Sequence, residues 1–279
     1  MKRRPFRQID VFSVEPFRGN PLAVVLDGEG LDEARMQQFA RWSNLSETTF
    51  VLPPTDPAAD YRVRIFTPGA ELPFAGHPTL GTCHAWLAAG GRPRREGMMV
   101  QQCGIGLVQV RRDGHALAFE APPLRRSAVD AAVLAQVMAA LGADAARLRA
   151  AQWLDNGPQW LGLLFDHALT VLALEPDHAA LKALPKVGVI APHPAGAEGP
   201  AFEVRAFAPS IGVAEDPVTG SLNASLAQWL IAEGVAPQRY MAAQGACLGR
   251  AGRVHIEQRD GQVWVGGASV ICIEGHVTI

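Results

Sequence analysis

The fold is decided by two stretches that repeat one pattern, RIFTPGAELPFAGHP at residues 64–78 and RAFAPSIGVAEDPVTGSL at residues 205–222. Each begins with a strand-like segment that ends in proline, continues through a loop with an acidic residue, and enters a helix at a glycine. The two helices also end alike, in AWL at 85–87 and QWL at 228–230, once a small insertion is allowed. A match across strand, loop and helix together predicts an internal repeat.

Both repeated helices are unusually poor in charge. Residues 78–87 and 219–230 are mostly apolar or small, and a helix of that kind is buried on every side. We therefore predict an α+β fold of two similar domains, each with a mixed β-sheet curled around a central α-helix. The N-termini of the two helices are expected to point at a shared place between the domains.

Periodicity and turn residues outline the remaining elements. One helix is predicted over residues 32–42, and another is predicted from a Ser127 cap to Leu141, with Gly142 as its stop. Apolar runs and alternating patterns predict further strands. These strands are 8–14, 22–26, 48–52, 61–66, 160–164, 169–174, 202–207, 253–256, 263–265 and 269–273.

Composition narrows the class of protein. The 279 residues suffice for two domains, and the formal charge of −2 argues against a nucleic-acid partner. No apolar run follows the basic start MKRRPFRQID, and no segment has the ~20 apolar residues of a membrane span. The four cysteines are scattered. We therefore expect a cytoplasmic protein with no membrane partner.

Glu47, in the segment LSETTF at residues 45–50, is a candidate proton carrier. It directly precedes a strand-like run, so it can be an ordinary solvated glutamate or part of a capping box. It can also be a carboxylate that faces a cleft. Partial burial there would raise its pKa toward neutrality and make it a usable acid and base.

The two helix starts are candidate binding sites for a carboxylate. Unpaired N–H groups and the helix dipole attract anions to Gly76-His77 and to Thr219-Gly220-Ser221, unless these are ordinary glycine turns. His77 can relay a proton or be a buried structural histidine. Asp216, beside Glu215, resembles one of a pair of carboxylates, although Asp-Pro also favours a turn.

No metal site or cofactor site is predicted. His84, His115 and His255 have no second ligand at metal spacing, and clusters of Cys and His are absent from the sequence. The sequence also contains no P-loop and no GxGxxG after a strand.

Several motifs, in their order along the chain, resemble the PhzF family of phenazine biosynthesis. The resemblance covers essentially the whole chain. It rests on Gly19-Asn20-Pro21, Ser46-Glu47-Thr48, residues 71–79, residues 215–221, and Gln244-Gly245 with the later Gly249-Arg250 and Gly252-Arg253.

The resemblance implies the diaminopimelate-epimerase-like fold and a homodimer. It places an N-terminal domain at residues 1–122, to which residues 269–279 return, and a C-terminal domain at residues 123–268. The phenazine enzyme isomerises trans-2,3-dihydro-3-hydroxyanthranilate, with a glutamate moving a proton between ring carbons.

The glutamate of the phenazine enzyme corresponds here to Glu47. His77, Asp216 and Ser221 match polar residues around the substrate, and amides near Gly220 would hold its carboxylate. We count Glu47, His77 and Asp216 as catalytic, and expect Gly76, Thr219, Gly220 and Ser221 to bind substrate.

Related epimerases use two cysteines, where this chain has residues 75–76 and 216–217, so a two-thiol racemase is disfavoured. The expected function is a cofactor-independent isomerase acting on a small carboxylate-bearing substrate. An epimerase of another metabolite and a binding protein that retains the fold are the alternatives.

Overall fold

Two compact units make up the chain. Residues 1–114, 116–194, 196 and 198–279 are described by a computed structural model. Unit 1 comprises Met1–Glu120 with Gly266–Ile279, and unit 2 comprises Ala121–Val265. His115, one of the histidines without a partner at metal spacing, lies outside the described residues.

Unit 1 consists of strands and two helices. Its helices are α1 (Glu33–Ser43) and α2 (Gly76–Ala88). Its strands are β1 (Arg3–Val11), β2 (Asn20–Val25), β3 (Glu47–Leu52), β4 (Tyr61–Phe66), β5 (Glu71–Leu72), β6 (Met98–Cys103), β7 (Gly106–Asp113), β8 (Ala116–Glu120) and β18 (Ser269–Thr278).

The sheet of unit 1 is mixed and surrounds α2. Strand β2 runs antiparallel to β1 and parallel to β3, β4 runs antiparallel to β3 and parallel to β6, and β18 adds to β1. Helix α2 packs against β1, β2, β3, β6, β8 and β18. The chain therefore buries α2 on many sides, which explains why its sequence has no polar face.

Unit 2 also contains strands and one long central helix. Its helices are α3 (Ala131–Ala140), α4 (Ala168–Leu172), α5 (His178–Leu181) and α6 (Gly220–Ala232). Its strands are β9 (Arg125–Ser127), β10 (Leu148–Asp155), β11 (Gln159–Phe165), β12 (Val187–Pro192), β13 (Phe202–Ala208), β14 (Val213–Asp216), β15 (Arg239–Gln244), β16 (Gly252–Arg259) and β17 (Gln262–Gly267), whose last two residues belong to unit 1.

Unit 2 repeats the plan of unit 1. Strand β11 runs antiparallel to β10 and parallel to β12, and β13 runs antiparallel to β12 and parallel to β15. Gly188 lets α6 approach this sheet, since a Cβ there would lie 2.2 Å from the side chain of Leu222 in α6. The α+β architecture predicted from the repeat is confirmed.

The repeat extends to an ion pair at the same place in each unit. Arg64 donates two hydrogen bonds to Glu71, at 2.7 Å and 2.5 Å, and Arg205 donates two to Glu215, both at 2.9 Å. In both units this bidentate pair joins the strand to the loop that leads into the central helix. The acidic residue of the repeated loop is therefore structural in both copies.

The strand predicted at residues 169–174 is wrong, because these residues begin within helix α4. The ring of His167 accepts a hydrogen bond from the Leu169 amide and starts the helix. Val171 and Leu174 then pack into the apolar core of unit 2, while Leu169 is exposed. The spacing of three residues between Val171 and Leu174 fits a helix. The apolar run is too short for its sequence pattern to distinguish a helix from a strand.

The cap predicted at Ser127 is also wrong. Ser127 belongs to β9 and pairs with Trp153 of β10. The cap of helix α3 lies three residues later, at Asp130, whose carboxylate accepts hydrogen bonds from the amides of Ala132 and Val133. The helices that the structure describes include none long and apolar enough to cross a membrane.

Candidate active site

Glu47 opens strand β3 and turns its carboxylate toward the first turn of α2. Its Oε2 lies 3.3 Å from Nε2 of His77. The side chains are 16% and 4% exposed, so both groups are largely removed from water. Because the parallel pairing of β2 and β3 begins at Leu22 and Glu47, the carboxylate sits at the end of the strand pair.

His77 is held between a carboxylate and an amide. The side-chain nitrogen of the buried Asn20 lies 3.3 Å from Nδ1 of His77. An amide nitrogen only donates, so Nδ1 accepts and the proton of the neutral ring resides on Nε2, which faces Glu47. Asn20 thus favours the tautomer with the proton on Nε2, the ring nitrogen that lies 3.3 Å from the Glu47 carboxylate.

Burial sets the acidity of Glu47. Removal from water raises the pKa of the Glu47 carboxyl to about 7, and the neighbouring Ser46 hydroxyl opposes part of that rise. Desolvation penalises the charged carboxylate more than the neutral acid. Both protonation states are consequently populated near neutral pH, which a group that takes up and returns a proton requires.

The N-terminus of α2 lies beside this pair of side chains. Gly76 is the first helical residue, and Ala75 at the cap position has no side chain that could bind the first-turn amides. Unpaired amides at a helix N-terminus favour an anion. Gly76, His77 and Glu47 are therefore brought together in unit 1.

The predicted residues of unit 2 gather at the corresponding helix start. The hydroxyl of Thr219 donates to Oδ2 of Asp216 at 2.5 Å, and no cap bond from Thr219 occupies the amides of α6. Glu215 forms an ion pair with Arg205, and a pairing of its carboxylate with Asp216 stays a prediction. Asp216 ends strand β14, and its hydrogen bond with Thr219 joins the loop to the helix.

Gln244, at the end of β15, fixes the loop before α6. Its side-chain oxygen accepts from the amide of Thr219 at 3.0 Å and from Asn223 at 2.9 Å. Its nitrogen donates to the Asp216 carbonyl and to the Thr219 hydroxyl, both at 3.0 Å. With all of these bonds made by one buried amide, the helix start is pre-organised.

Ser221, in the first turn of α6, is buried and held from two directions. Its hydroxyl accepts from Nε1 of Trp160 at 3.3 Å, and its carbonyl accepts from the Asn156 amide at 3.1 Å. Gly220 precedes it as the first helical residue. The sequence motifs contained Asn20 and Gln244 without giving them a role at the site, and they did not include Asn156. What distinguishes all three residues is a buried polar side chain.

The seven predicted site residues thus form two groups, one in each unit. Whether the two groups line one cleft stays a prediction. Within the ranges that the structure describes, no group of three His, Cys, Asp or Glu side chains could hold a metal ion.

The cysteines are poorly placed for a two-thiol mechanism. Cys83 is buried in the middle of α2, where burial raises the pKa of its thiol to about 12. The residues at the N-cap positions of the two central helices are Ala75 and Thr219. Neither cap residue carries a thiol.

Comparison with known proteins agrees with this architecture. A family model described as phenazine biosynthesis-like protein, PhzC-PhzF, matches residues 9–275. Antisense-enhancing sequence 1 of Schizosaccharomyces pombe is 36% identical, with 99% of each chain covered. The trans-2,3-dihydro-3-hydroxyanthranilate isomerase of Pseudomonas aeruginosa is 35% identical over 96% of this chain and 97% of its own.

A solved structure shows the same fold. The PhzF-family phenazine biosynthesis protein of Bacillus anthracis superposes with a TM-score of 0.86 at 22% identity, and both chains are covered completely. Two repeated α+β units with buried central helices define the class of protein as the epimerase and isomerase type. The chain belongs to the PhzC-PhzF phenazine biosynthesis-like family and is an enzyme of the isomerase class.

Proposed function

We propose that the chain is a cofactor-independent isomerase in which Glu47 removes a proton from one carbon of the substrate and returns it to another. The observation that carries the proposal is the buried Glu47 carboxylate, 3.3 Å from His77, with a pKa raised to about 7. A carboxylate with an ordinary pKa would hold a proton too weakly to deliver it near pH 7.

His77 positions this carboxylate and responds to its charge. When Glu47 is ionised, its carboxylate lies 3.3 Å from Nε2 of His77, and the Asn20 amide favours the tautomer with the proton on Nε2. After proton uptake, the neutral carboxylic acid lies beside the same nitrogen. Glu47 can therefore alternate between base and acid with little rearrangement of its surroundings.

The second group supplies recognition of the substrate. The amides of Gly220 and Ser221 are suited to a substrate carboxylate, and Gly76 offers a similar amide at the start of α2. Asp216, with Thr219 as its donor, would meet a polar group on the substrate. Since binding a carboxylate fixes one end of a small molecule, it orients the rest of the substrate.

The named relatives suggest a substrate to try first. The isomerase of Pseudomonas aeruginosa acts, by its name, on trans-2,3-dihydro-3-hydroxyanthranilate. We propose a small carboxylate-bearing compound of this kind for the present chain. We also propose that the enzyme is a cytoplasmic homodimer, and a monomeric mass in sedimentation equilibrium would refute the dimer.

Solvent exchange tests the proton transfer. In deuterium oxide, the wild type should incorporate deuterium into trans-2,3-dihydro-3-hydroxyanthranilate or another carboxylate of a broad panel, as read by mass spectrometry. Glu47→Gln should lower the rate by about 10³-fold or more, because the amide cannot accept the proton.

Glu29→Gln is the matched control, because Glu29 is exposed in the same unit, and its exchange rate should equal that of the wild type. Full exchange by Glu47→Gln would refute the mechanism. Absence of exchange by the wild type across the panel would favour the binding-protein alternative.

A further inference from the structure

Lys186 occupies the position in unit 2 that Glu47 occupies in unit 1. In the β3–β4 pair Thr48 lies opposite Phe66, and in the β12–β13 pair Val187 lies opposite Phe207. The repeated arginine motif aligns the two phenylalanines, so the preceding residues, Glu47 and Lys186, correspond. A carboxylate in one copy is thus matched by an ammonium in the other.

The alternation of the strands aims both side chains at the central helix of their own unit. Two residues beyond Glu47, Thr49 accepts a hydrogen bond from Thr82 of α2. Two residues beyond Lys186, Gly188 lies against Leu222 of α6. Side chains two apart on a strand share a face, so Lys186 extends toward the first turn of α6.

The ammonium of Lys186 is half-buried, and no acidic side chain forms an ion pair with it in the described part of the chain. Its Nζ lies 4.9 Å from the ring centroid of Trp160, and no hydrogen bond or ion pair to it occurs among the residues with described positions. Burial lowers the pKa of Lys186, while the charge of Asp155 opposes that change. An anion at this place would restore the interactions that the ammonium lost with water.

Asn156 supplies a second unused group near the same helical turn. Its side chain is buried, at 4% exposure, and its nitrogen donates to the Ser221 carbonyl. Its oxygen Oδ1 accepts no hydrogen bond within the described part of the chain. Buried acceptors are normally satisfied, so the free oxygen indicates a donor that arrives with a ligand.

Trp160 connects these groups. Its ring lies beneath the Lys186 ammonium, and its Nε1 donates to the Ser221 hydroxyl that Asn156 helps to position. The Lys186 ammonium, through the Trp160 ring, and the Asn156 side chain are therefore both connected to Ser221 in the first turn of α6. The arrangement combines a positive group for an anion with an acceptor for an N–H or O–H.

We propose that Lys186 and Asn156 form a specificity subsite at the first turn of α6 for substrates in which a carboxylate neighbours an amino or hydroxyl group. The Lys186 ammonium pairs with the carboxylate, and Oδ1 of Asn156 accepts from the neighbouring donor. This subsite rests on the proposed function, because it selects the substrate on which Glu47 acts. A neutral amide in place of the carboxylate would lose the interaction with Lys186.

Equilibrium binding of 2-aminobenzoate, measured by calorimetry, tests the subsite without turnover. Lys186→Met should raise its dissociation constant by about tenfold or more, whereas Lys186→Arg should keep most of the affinity. The neutral 2-aminobenzamide should bind weakly and equally to the wild type and to Lys186→Met. Lys182→Met is the matched control, because Lys182 is exposed in the same unit, and it should bind 2-aminobenzoate like the wild type.

Asn156→Ala tests the acceptor separately. This change should weaken 2-aminobenzoate and leave benzoate, which lacks the donor, nearly unchanged. A common loss for both ligands would indicate a structural role for Asn156 and overturn its part of the proposal. Unfolding midpoints of all variants identify any variant that fails to fold, and for Lys186 the arginine variant then carries the test.

The subsite would be refuted by equal binding of 2-aminobenzoate to the wild type and Lys186→Met, or by no binding to the wild type at about 10 mM. Its failure is distinguishable from that of the proposed function. Glu47→Gln should lose proton exchange but keep the affinity for 2-aminobenzoate. Loss of affinity in Lys186→Met without any exchange by the wild type would support the subsite and refute the isomerase mechanism.

Discussion

Units 1 and 2 share a backbone plan but differ in the groups at the start of their central helices. At corresponding positions unit 1 has Glu47 and His77, whereas unit 2 has Lys186 and Ser221. The ion pair that joins strand to loop is present in both. The comparison teaches that the frame is common, while the charge presented at the helix start is what differs between the two copies.

This difference fits a division of chemical labour. A buried acid beside an imidazole is suited to proton transfer, and an ammonium near the amides of a helix N-terminus is suited to an anion. In each unit the sheet and helix position groups that cost stability when buried. The costs are tolerated because the repeated core around each central helix is closely packed.

The largest expected change in stability comes from removing the ion pair of unit 2, which is more buried than the corresponding pair of unit 1. Arg205 and Glu215 are 5% and 6% exposed, and Arg205 also donates to the carbonyls of Val171 and Leu174. Arg205→Met should lower the free energy of unfolding by about 3–5 kcal/mol, because it leaves the Glu215 charge buried and unpaired. Urea titration measures the change.

The corresponding change in unit 1 is the control. Arg64 and Glu71 are 24% and 35% exposed, so water screens this pair. Arg64→Met should cost about 1 kcal/mol or less. Equal losses for the two arginines would contradict the view that the same pair is structural to different degrees in the two units.

The next effect concerns the buried acid that only unit 1 possesses. The pKa of Glu47 is raised from 4.5 to about 7 in the folded protein, so the folded state binds more protons than the unfolded state between these values. Stability should therefore fall as the pH rises through this window. Glu47→Gln removes the cost and should stabilise the protein by up to about 3 kcal/mol at pH 8.

Urea titrations at pH 5 and pH 8 check this sign. The gain in Glu47→Gln should be small at pH 5 and largest at pH 8, whereas Glu29→Gln should show no such trend. A gain that shrank with rising pH would mean that the ionised Glu47 is stabilised by its surroundings. Unit 1 would then contain no carboxylate that burial destabilises, and this difference from unit 2 would be lost.

The smallest effect concerns the outer helices, α1 in unit 1 and α3 in unit 2. Asp32 and Asp130 each accept a hydrogen bond from first-turn amides. Replacement of either by alanine should cost about 1 kcal/mol. Ser127→Ala should change stability by less than about 0.5 kcal/mol, and a larger loss there would favour the cap predicted from the sequence.

Much of the fold was predictable from the sequence because the repeated motif carries its own turn residues and buried helix. Local sequence patterns gave a wrong strand at residues 169–174, because a short, mostly apolar run fits a strand and a helix equally well. Ser127 failed because its pairing with β10 is a contact distant in sequence, which overrides local capping preference.

The candidate site was predictable in part. Glu47 and His77 stand in recognisable motifs, and their proximity follows once β3 and α2 are placed. Asn20, Gln244 and Lys186 act through burial and strand register, and neither property is visible in a local pattern. The clue that would have identified Lys186 is its place in the repeat, one residue before the strand β12.

The protonation of Glu47 is the most direct test of the account. Infrared difference spectra of the wild type, with those of Glu47→Gln subtracted, isolate the band of this carboxyl group as the pH is varied. We predict a titration midpoint near the pKa of about 7 that burial imposes. A midpoint near 4.5, the ordinary value for glutamate, would contradict the assignment of Glu47 as the proton carrier.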